Sequence, residues 1–155
     1  MPLAAGTPAP DFTLKDQDRN DVTLADFRGR QNVALVFYPF TFTGVCQGEL
    51  CSLRDDLSRY QAADVQVLAV SCDSPFAQKK WADEQGYGFP LLADNWPHGA
   101  VAQAYDTFNQ AVGVANRSTF LIDRNGTIVD VITSDSLGTA REQDAYTAAL
   151  AKLGA

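Results

Sequence analysis

Val33-Ala34-Leu35-Val36-Phe37-Tyr38-Pro39-Phe40-Thr41-Phe42-Thr43-Gly44-Val45-Cys46 runs from an unbroken apolar segment, through a short connection, to a cysteine. The run at 33–38 reads as a strand buried on both faces. Beyond the cysteine, Leu50, Leu53, Leu57 and Tyr60 recur at helical spacing, while Arg54, Asp55 and Arg59 face outward. Cys46 therefore falls in the first turn of a helix, where unpaired backbone N–H groups and the positive end of the helix dipole favour thiolate over thiol.

The rest of the chain extends this unit without a linker, repeat or low-complexity tract. Residues 13–14 and 21–24 flank a polar turn and predict a small hairpin, and 65–70 is a second buried strand. Ser74 as N-cap, Pro75 at the first helical position and Gly86 just past the end predict a helix at about 75–85, with Phe76 and Trp81 on its inner side. Residues 89–92 read as a short edge strand and 99–105 as a short helix. The segments 118–122 and 127–132 bracket Arg124-Asn125-Gly126 as a hairpin. A closing helix at about 141–153 packs Tyr146, Leu150 and Leu153. The expected fold is α/β, a mixed central sheet with helices on both faces and an N-terminal β-hairpin.

The 155 residues of the chain form one domain, of a size that buries roughly 68–70% of its unfolded surface without a structural disulfide. A net charge of −7 disfavours nucleic acid and anionic membrane surfaces as partners. No basic leader region is present, and no run approaches the roughly 20 apolar residues that span a bilayer, so the expected location is cytoplasmic. Three cysteines read as reduced or redox-active thiols.

Pro39 stands seven positions and Thr43 three positions before Cys46, the pattern Pro-x-x-x-Thr-x-x-Cys. With Ala9-Pro10-Asp11-Phe12-Thr13-Leu14, Ser71-Cys72-Asp73-Ser74-Pro75 followed by Trp81, and Asn116-Arg117-Ser118-Thr119-Phe120, the chain resembles the peroxiredoxins almost end to end. Cys46-Gln47-Gly48-Glu49-Leu50 and Asp94-Asn95-Trp96-Pro97-His98-Gly99-Ala100-Val101 look most like the AhpE-like subgroup of one-cysteine enzymes. The resemblance implies a thioredoxin-like fold and an antioxidant thiol peroxidase that reduces hydrogen peroxide and organic hydroperoxides without metal, haem or flavin. It also implies a common tendency to pair as homodimers, to which the 96–99 segment could contribute.

Such chemistry displaces an oxygen, so rate comes from orienting the peroxide and stabilising the departing oxygen. The backbone N–H groups of Val45 and Cys46 supply donors, the Thr43 hydroxyl can both donate and accept, and Pro39, with no N–H of its own, screens the pocket from water. By the resemblance, Arg117 is the active-site arginine, and Glu49, one turn after Cys46, orients it. Phe40 and Phe42 are pocket-rim residues or packing residues.

Cys46, once oxidised to sulfenic acid, needs a second thiol. Cys51 is one source: its spacing resembles the peroxiredoxin Q group, whose second cysteine resolves the sulfenic acid. The AhpE-like wording implies an external reductant instead, whether thioredoxin, mycoredoxin or a low-molecular-weight thiol. In an intact helix Cys46 and Cys51 have Cα atoms roughly 8–9 Å apart, beyond the usual disulfide limit of about 7 Å, so pairing requires unwinding. Cys72 ends an apolar strand and reads as a small core residue. His98 reads as a turn or interface residue, not a base. A thioredoxin-type oxidoreductase would carry Cys-x-x-Cys and a proline where Ser118 stands, and a zinc module would carry paired short-spaced ligands. A peroxide sensor would use the same reactive thiol.

Overall fold

The computed structural model describes residues 1–153. Seven strands form one sheet in the order β2-β1-β5-β4-β3-β8-β9, with β3 (Asn32–Phe37), β4 (Val65–Ser71) and β8 (Ser118–Ile122) at its centre. β1 (Thr13–Lys15) and β2 (Asp21–Thr23) are the N-terminal hairpin, β5 (Leu91–Ala93) joins them to β4, and β9 (Ile128–Thr133) closes the far edge. β3–β4 and β4–β5 are parallel, while β3–β8 and β8–β9 are antiparallel, so the sheet is mixed. A separate two-stranded ribbon, β6 (Phe108–Asn109) with β7 (Val114–Ala115), lies outside the elements legible in the sequence.

β3 is buried along its whole length because its alternate side chains enter two cores. Ala34 and Val36 pack with residues of α1 (Gly44–Asp55), α2 (Leu57–Ala62), α3 (Pro75–Gln85) and α5 (Gln143–Lys152). Val33, Leu35 and Phe37 pack instead with α4 (Ala100–Ala104), Tyr105, Phe120 and the N-terminal residues Ala9 and Phe12. Helices thus cover both faces, unequally.

Three local expectations are corrected. β5 is not an edge strand, because the N-terminal hairpin pairs with it through Lys15 and Ala93. The helix after Cys46 ends at Asp55, and a second begins at Leu57, so the apolar stripe from Leu50 to Tyr60 crosses a break. In α3, Ser74 accepts a hydrogen bond from the Ala77 amide and Gly86 takes the left-handed conformation, as expected, and Trp81 is fully buried; but Phe76 is 67% exposed, with Arg19 over its ring.

Candidate active site

The sheet register assembles the site. Phe37, the last residue of β3, pairs with Val70 on one side and Ser118 on the other, so Tyr38 and Arg117 leave the sheet at the same end. Residues 38–43 then cross to α1, placing Cys46 at its third residue. Gln47 is the first amide to bond back, to the Thr43 carbonyl at 2.8 Å, which leaves the Val45 and Cys46 amides without a backbone acceptor among the described residues. The Cys46 side chain is fully buried in the core that contains Tyr38, Leu50 and Trp81.

Thr43 occupies the N-cap position with extended backbone, but its hydroxyl donates to the Phe40 carbonyl at 2.9 Å and makes no capping bond. Its oxygen lone pairs stay open to a donor. Pro39 is buried. Phe42 has a φ of 69°, a left-handed conformation that costs a bulky residue about 1–3 kcal/mol and must be imposed by its surroundings. Its ring leans on Trp81, with centroids 6.1 Å apart. Phe40, Phe42 and Val45 are all exposed and give the loop an apolar rim.

Arg117 is buried at the foot of β8. Its Nε donates to the Leu137 carbonyl at 2.7 Å and its Nη1 to Glu49 Oε1 at 2.6 Å; among the described residues Nη2 has no protein acceptor. Glu49 lies one turn beyond Cys46 on the same helix face and is buried, not an ordinary exposed glutamate. A residue that sequence reasoning missed completes the cluster. Arg141 donates from its backbone amide and Nε to Glu49 Oε2 at 2.7 and 3.0 Å, from Nη2 to Oε1 at 3.0 Å, and from Nη1 to the Phe37 carbonyl at 2.6 Å. Burial pushes the Glu49 carboxyl upward, but the charges of Arg141 and then Arg117 outweigh it and hold it below its ordinary value. No single-sequence pattern marks Arg141, which sits two residues before the last helix as a capping or surface arginine would.

Cys51 is half-buried on the same helix, its Sγ 3.6 Å from the Tyr87 hydroxyl and 3.7 Å from Gln85 Oε1. Because α1 is continuous from Gly44 to Asp55, Cys46 and Cys51 are both free thiols held apart by the helix. Cys72 is not the small core residue expected at the strand end: it lies one residue past β4, is half-buried and belongs to neither core, and desolvation followed by the nearby Asp94 charge pushes its pKa up to about 12. His98 bonds the Gly113 carbonyl through Nε2 at 2.6 Å and takes no part in the cluster. The structure therefore brings together Pro39, Thr43, Val45, Cys46, Glu49 and Arg117, adds Arg141, and leaves Cys51, Cys72 and His98 outside.

This arrangement can hold an anionic sulfur and present amide and guanidinium donors around it, which suits displacement at an oxygen whose leaving group gains charge. Residues 5–131 match the AhpC/TSA family. The chain is 50% identical over 153 residues to alkyl hydroperoxide reductase E of Mycobacterium tuberculosis, covering 99% of each chain. It is 34% identical over 149 residues to peroxiredoxin Bcp of Escherichia coli, covering 92% of each. Among solved structures, peroxidoxin BcpB of Mycobacterium tuberculosis superposes with a TM-score of 0.86 at 29% identity, covering 98% of this chain and 97% of that one.

Proposed function

This chain belongs to the AhpC/TSA family and is a peroxiredoxin, a thiol-dependent peroxidase, and we propose that Cys46 is the sulfur that meets the peroxide. The observation that carries this assignment is the buried Glu49 carboxylate, which ties Arg117 and Arg141 to the helix face that bears Cys46. The Cys46 thiolate attacks the nearer peroxide oxygen, an S–O bond forms, and the O–O bond breaks. The departing oxygen takes the electron pair and then a proton, leaving as water from hydrogen peroxide or as an alcohol from an organic hydroperoxide. The Val45 and Cys46 amides and Arg117 Nη2 donate to the oxygens as charge develops, the Thr43 oxygen accepts from the peroxide, and Pro39 adds no competing donor.

The sulfenic acid on Cys46 is then attacked by a second thiolate, a disulfide forms, and hydroxide leaves as water after protonation. Cys51 is the nearer source, on the same helix. Its use unwinds the first turns of α1, since the intact helix keeps the Cα atoms roughly 8–9 Å apart. An external thiol, from thioredoxin, mycoredoxin or a low-molecular-weight donor, either reduces that disulfide or acts on the sulfenic acid directly.

The apolar rim of Phe40, Phe42 and Val45 supports organic hydroperoxides as substrates, in keeping with the name of the mycobacterial relative. The three free thiols support a reducing, cytoplasmic setting. Exposed Trp96 beside the 97–99 turn supports a homodimer. Intact-mass and non-reducing peptide mapping after one equivalent of hydrogen peroxide, with Cys46→Ser as control, tests the reading. Loss of two hydrogens with a linked Cys46–Cys51 peptide is the expected result. A trappable sulfenic acid with Cys51 still reduced moves resolution to the external thiol, and unmodified Cys46 in folded, reduced protein overturns the assignment.

A further inference from the structure

The connection between β3 and α1 contains one residue, Phe42, in a conformation that must be imposed, and two hydrogen bonds bracket it. One is internal, from the Thr43 hydroxyl to the Phe40 carbonyl. The other comes from outside the loop: the Thr41 amide donates to Asp73 Oδ2 at 2.9 Å. Asp73 lies just past the end of β4, thirty-two residues from Thr41. It is held there in turn. The Ser71 hydroxyl donates to the same Oδ2 at 2.7 Å, and Gln78 Nε2, fully buried on α3, donates to Ser71 Oγ at 3.0 Å and to the Leu92 carbonyl at 2.8 Å. The Thr41 side chain is anchored as well, its hydroxyl 3.1 Å from that of buried Tyr38. A chain of polar contacts thus runs from α3 and β5 through Ser71 and Asp73 into the middle of the peroxide-handling loop.

We propose that Asp73 is a positioning residue for peroxide reduction, fixing the Thr41 amide so that the loop holds Phe42 in its left-handed conformation and aims Thr43 and the Val45 and Cys46 amides at the peroxide. The inference rests on the assignment of Cys46 as peroxidatic. It assigns Asp73 no contact with substrate and no proton transfer. What Asp73 does is keep the donors pointed where the oxygens will be, a geometry in which a displacement of about 1 Å can cost on the order of 100-fold in rate. Among the described residues Asp73 Oδ1 makes no protein hydrogen bond, whereas Oδ2 accepts both the Thr41 amide and the Ser71 hydroxyl. An asparagine can therefore put its oxygen in the working position and its nitrogen in the idle one. This makes the role separable from charge.

The test compares wild type, Asp73→Ala, Asp73→Asn and Ser71→Ala in two reactions of reduced protein. Oxidation by hydrogen peroxide is followed by intrinsic tryptophan fluorescence in stopped flow, and alkylation by iodoacetamide is followed by mass. Alkylation needs the thiolate but not an aligned O–O bond. The expected result is oxidation about 10- to 100-fold slower in Asp73→Ala, with alkylation of Cys46 unchanged or faster. Asp73→Asn should recover most of the oxidation rate, and Ser71→Ala should fall between. Oxidation unaltered in Asp73→Ala, alkylation falling in parallel, or Asp73→Asn as slow as the alanine variant overturns the proposal. Should Asp73→Ala not fold, oxidation by Ser71→Ala at the wild-type rate overturns it alone. Wild-type protein whose Cys46 is inert to peroxide would instead sink the peroxidase assignment.

Discussion

Arg117 meets Glu49 at 2.6 Å across sixty-eight residues of sequence, each side chain buried, so that the arginine at the foot of β8 is steered by a carboxylate on the helix that bears Cys46. With Arg141 on its other side, Glu49 leaves two guanidinium charges and one carboxylate, a net positive cluster into which an anionic sulfur fits. Removing one partner of a buried ion pair strands the other, which costs about 3–5 kcal/mol. Glu49→Gln is expected to lose stability of that order and to slow Cys46 oxidation at least about 10-fold. Urea unfolding and stopped-flow oxidation read the two effects, and a fully stable, fully active variant would show that neither arginine depends on the carboxylate.

The same carboxylate fixes a pH dependence. Its folded value is depressed below the ordinary glutamate value of about 4.3, because Arg141 and Arg117 outweigh the effect of burial. The folded protein therefore binds fewer protons than the unfolded chain on the acid side. This contribution is complete above about pH 5 and is lost as pH falls through the folded value. Urea midpoints measured from pH 6 downward should fall more steeply for wild type than for Glu49→Gln. Parallel slopes would place the acid sensitivity elsewhere.

Arg117→Lys keeps a positive charge but loses the planar fork that serves Leu137 and Glu49 while leaving Nη2 without a protein acceptor among the described residues. The expected loss is about 100- to 1,000-fold in the rate of oxidation, comparable to removing an oriented donor elsewhere in catalysis, with thermal stability less affected than in Arg117→Ala. A lysine variant that oxidises at the wild-type rate would show that charge alone suffices.

Cys72 should behave as an unreactive bystander. Its value is raised to about 12 by burial and then by Asp94, so at pH 8 it stays a thiol. Peptide mapping after brief iodoacetamide treatment is expected to find Cys72 unlabelled in folded protein, and Cys72→Ala should turn over peroxide normally. Rapid labelling of Cys72 would contradict this.

What could be read without coordinates follows the range of each physical signal. α3 was legible to the residue because Ser74, Pro75 and Gly86 act on neighbouring backbone groups. Phe76 was misplaced for an equally local reason: it stands five positions from Trp81, about 140° around the helix, so the two cannot share a face. Cys46 at a helix start was legible from the strand and the apolar spacing around it. Arg117 was not; only family resemblance put it near Cys46, since its position depends on the pairing of Phe37 with Ser118. Arg141 went unseen because its partners, Glu49 and the Phe37 carbonyl, lie ninety-two and one hundred and four residues away. β5 reads as an edge because the hairpin that covers it lies far back toward the N-terminus, at Lys15.

Glu49 stands between Cys46 and Cys51 on one helix, and this ordering has a consequence for the rhythm of the catalytic cycle. The second half of α1 is moored by buried Leu53 and by the bond from Arg54 to the Gln85 carbonyl, and the first half by buried Cys46 and by the bonds of Glu49 to Arg117 and Arg141, so if the two sulfurs join by unwinding the first turns, it is the contacts of the first half that break. Glu49 would travel with that half and let go of both arginines. A molecule that has just spent its thiol would thereby dismantle its own receptor for peroxide, and rebuild it only when reduction restores the helix, so that no second oxidant is met while the first is still being settled.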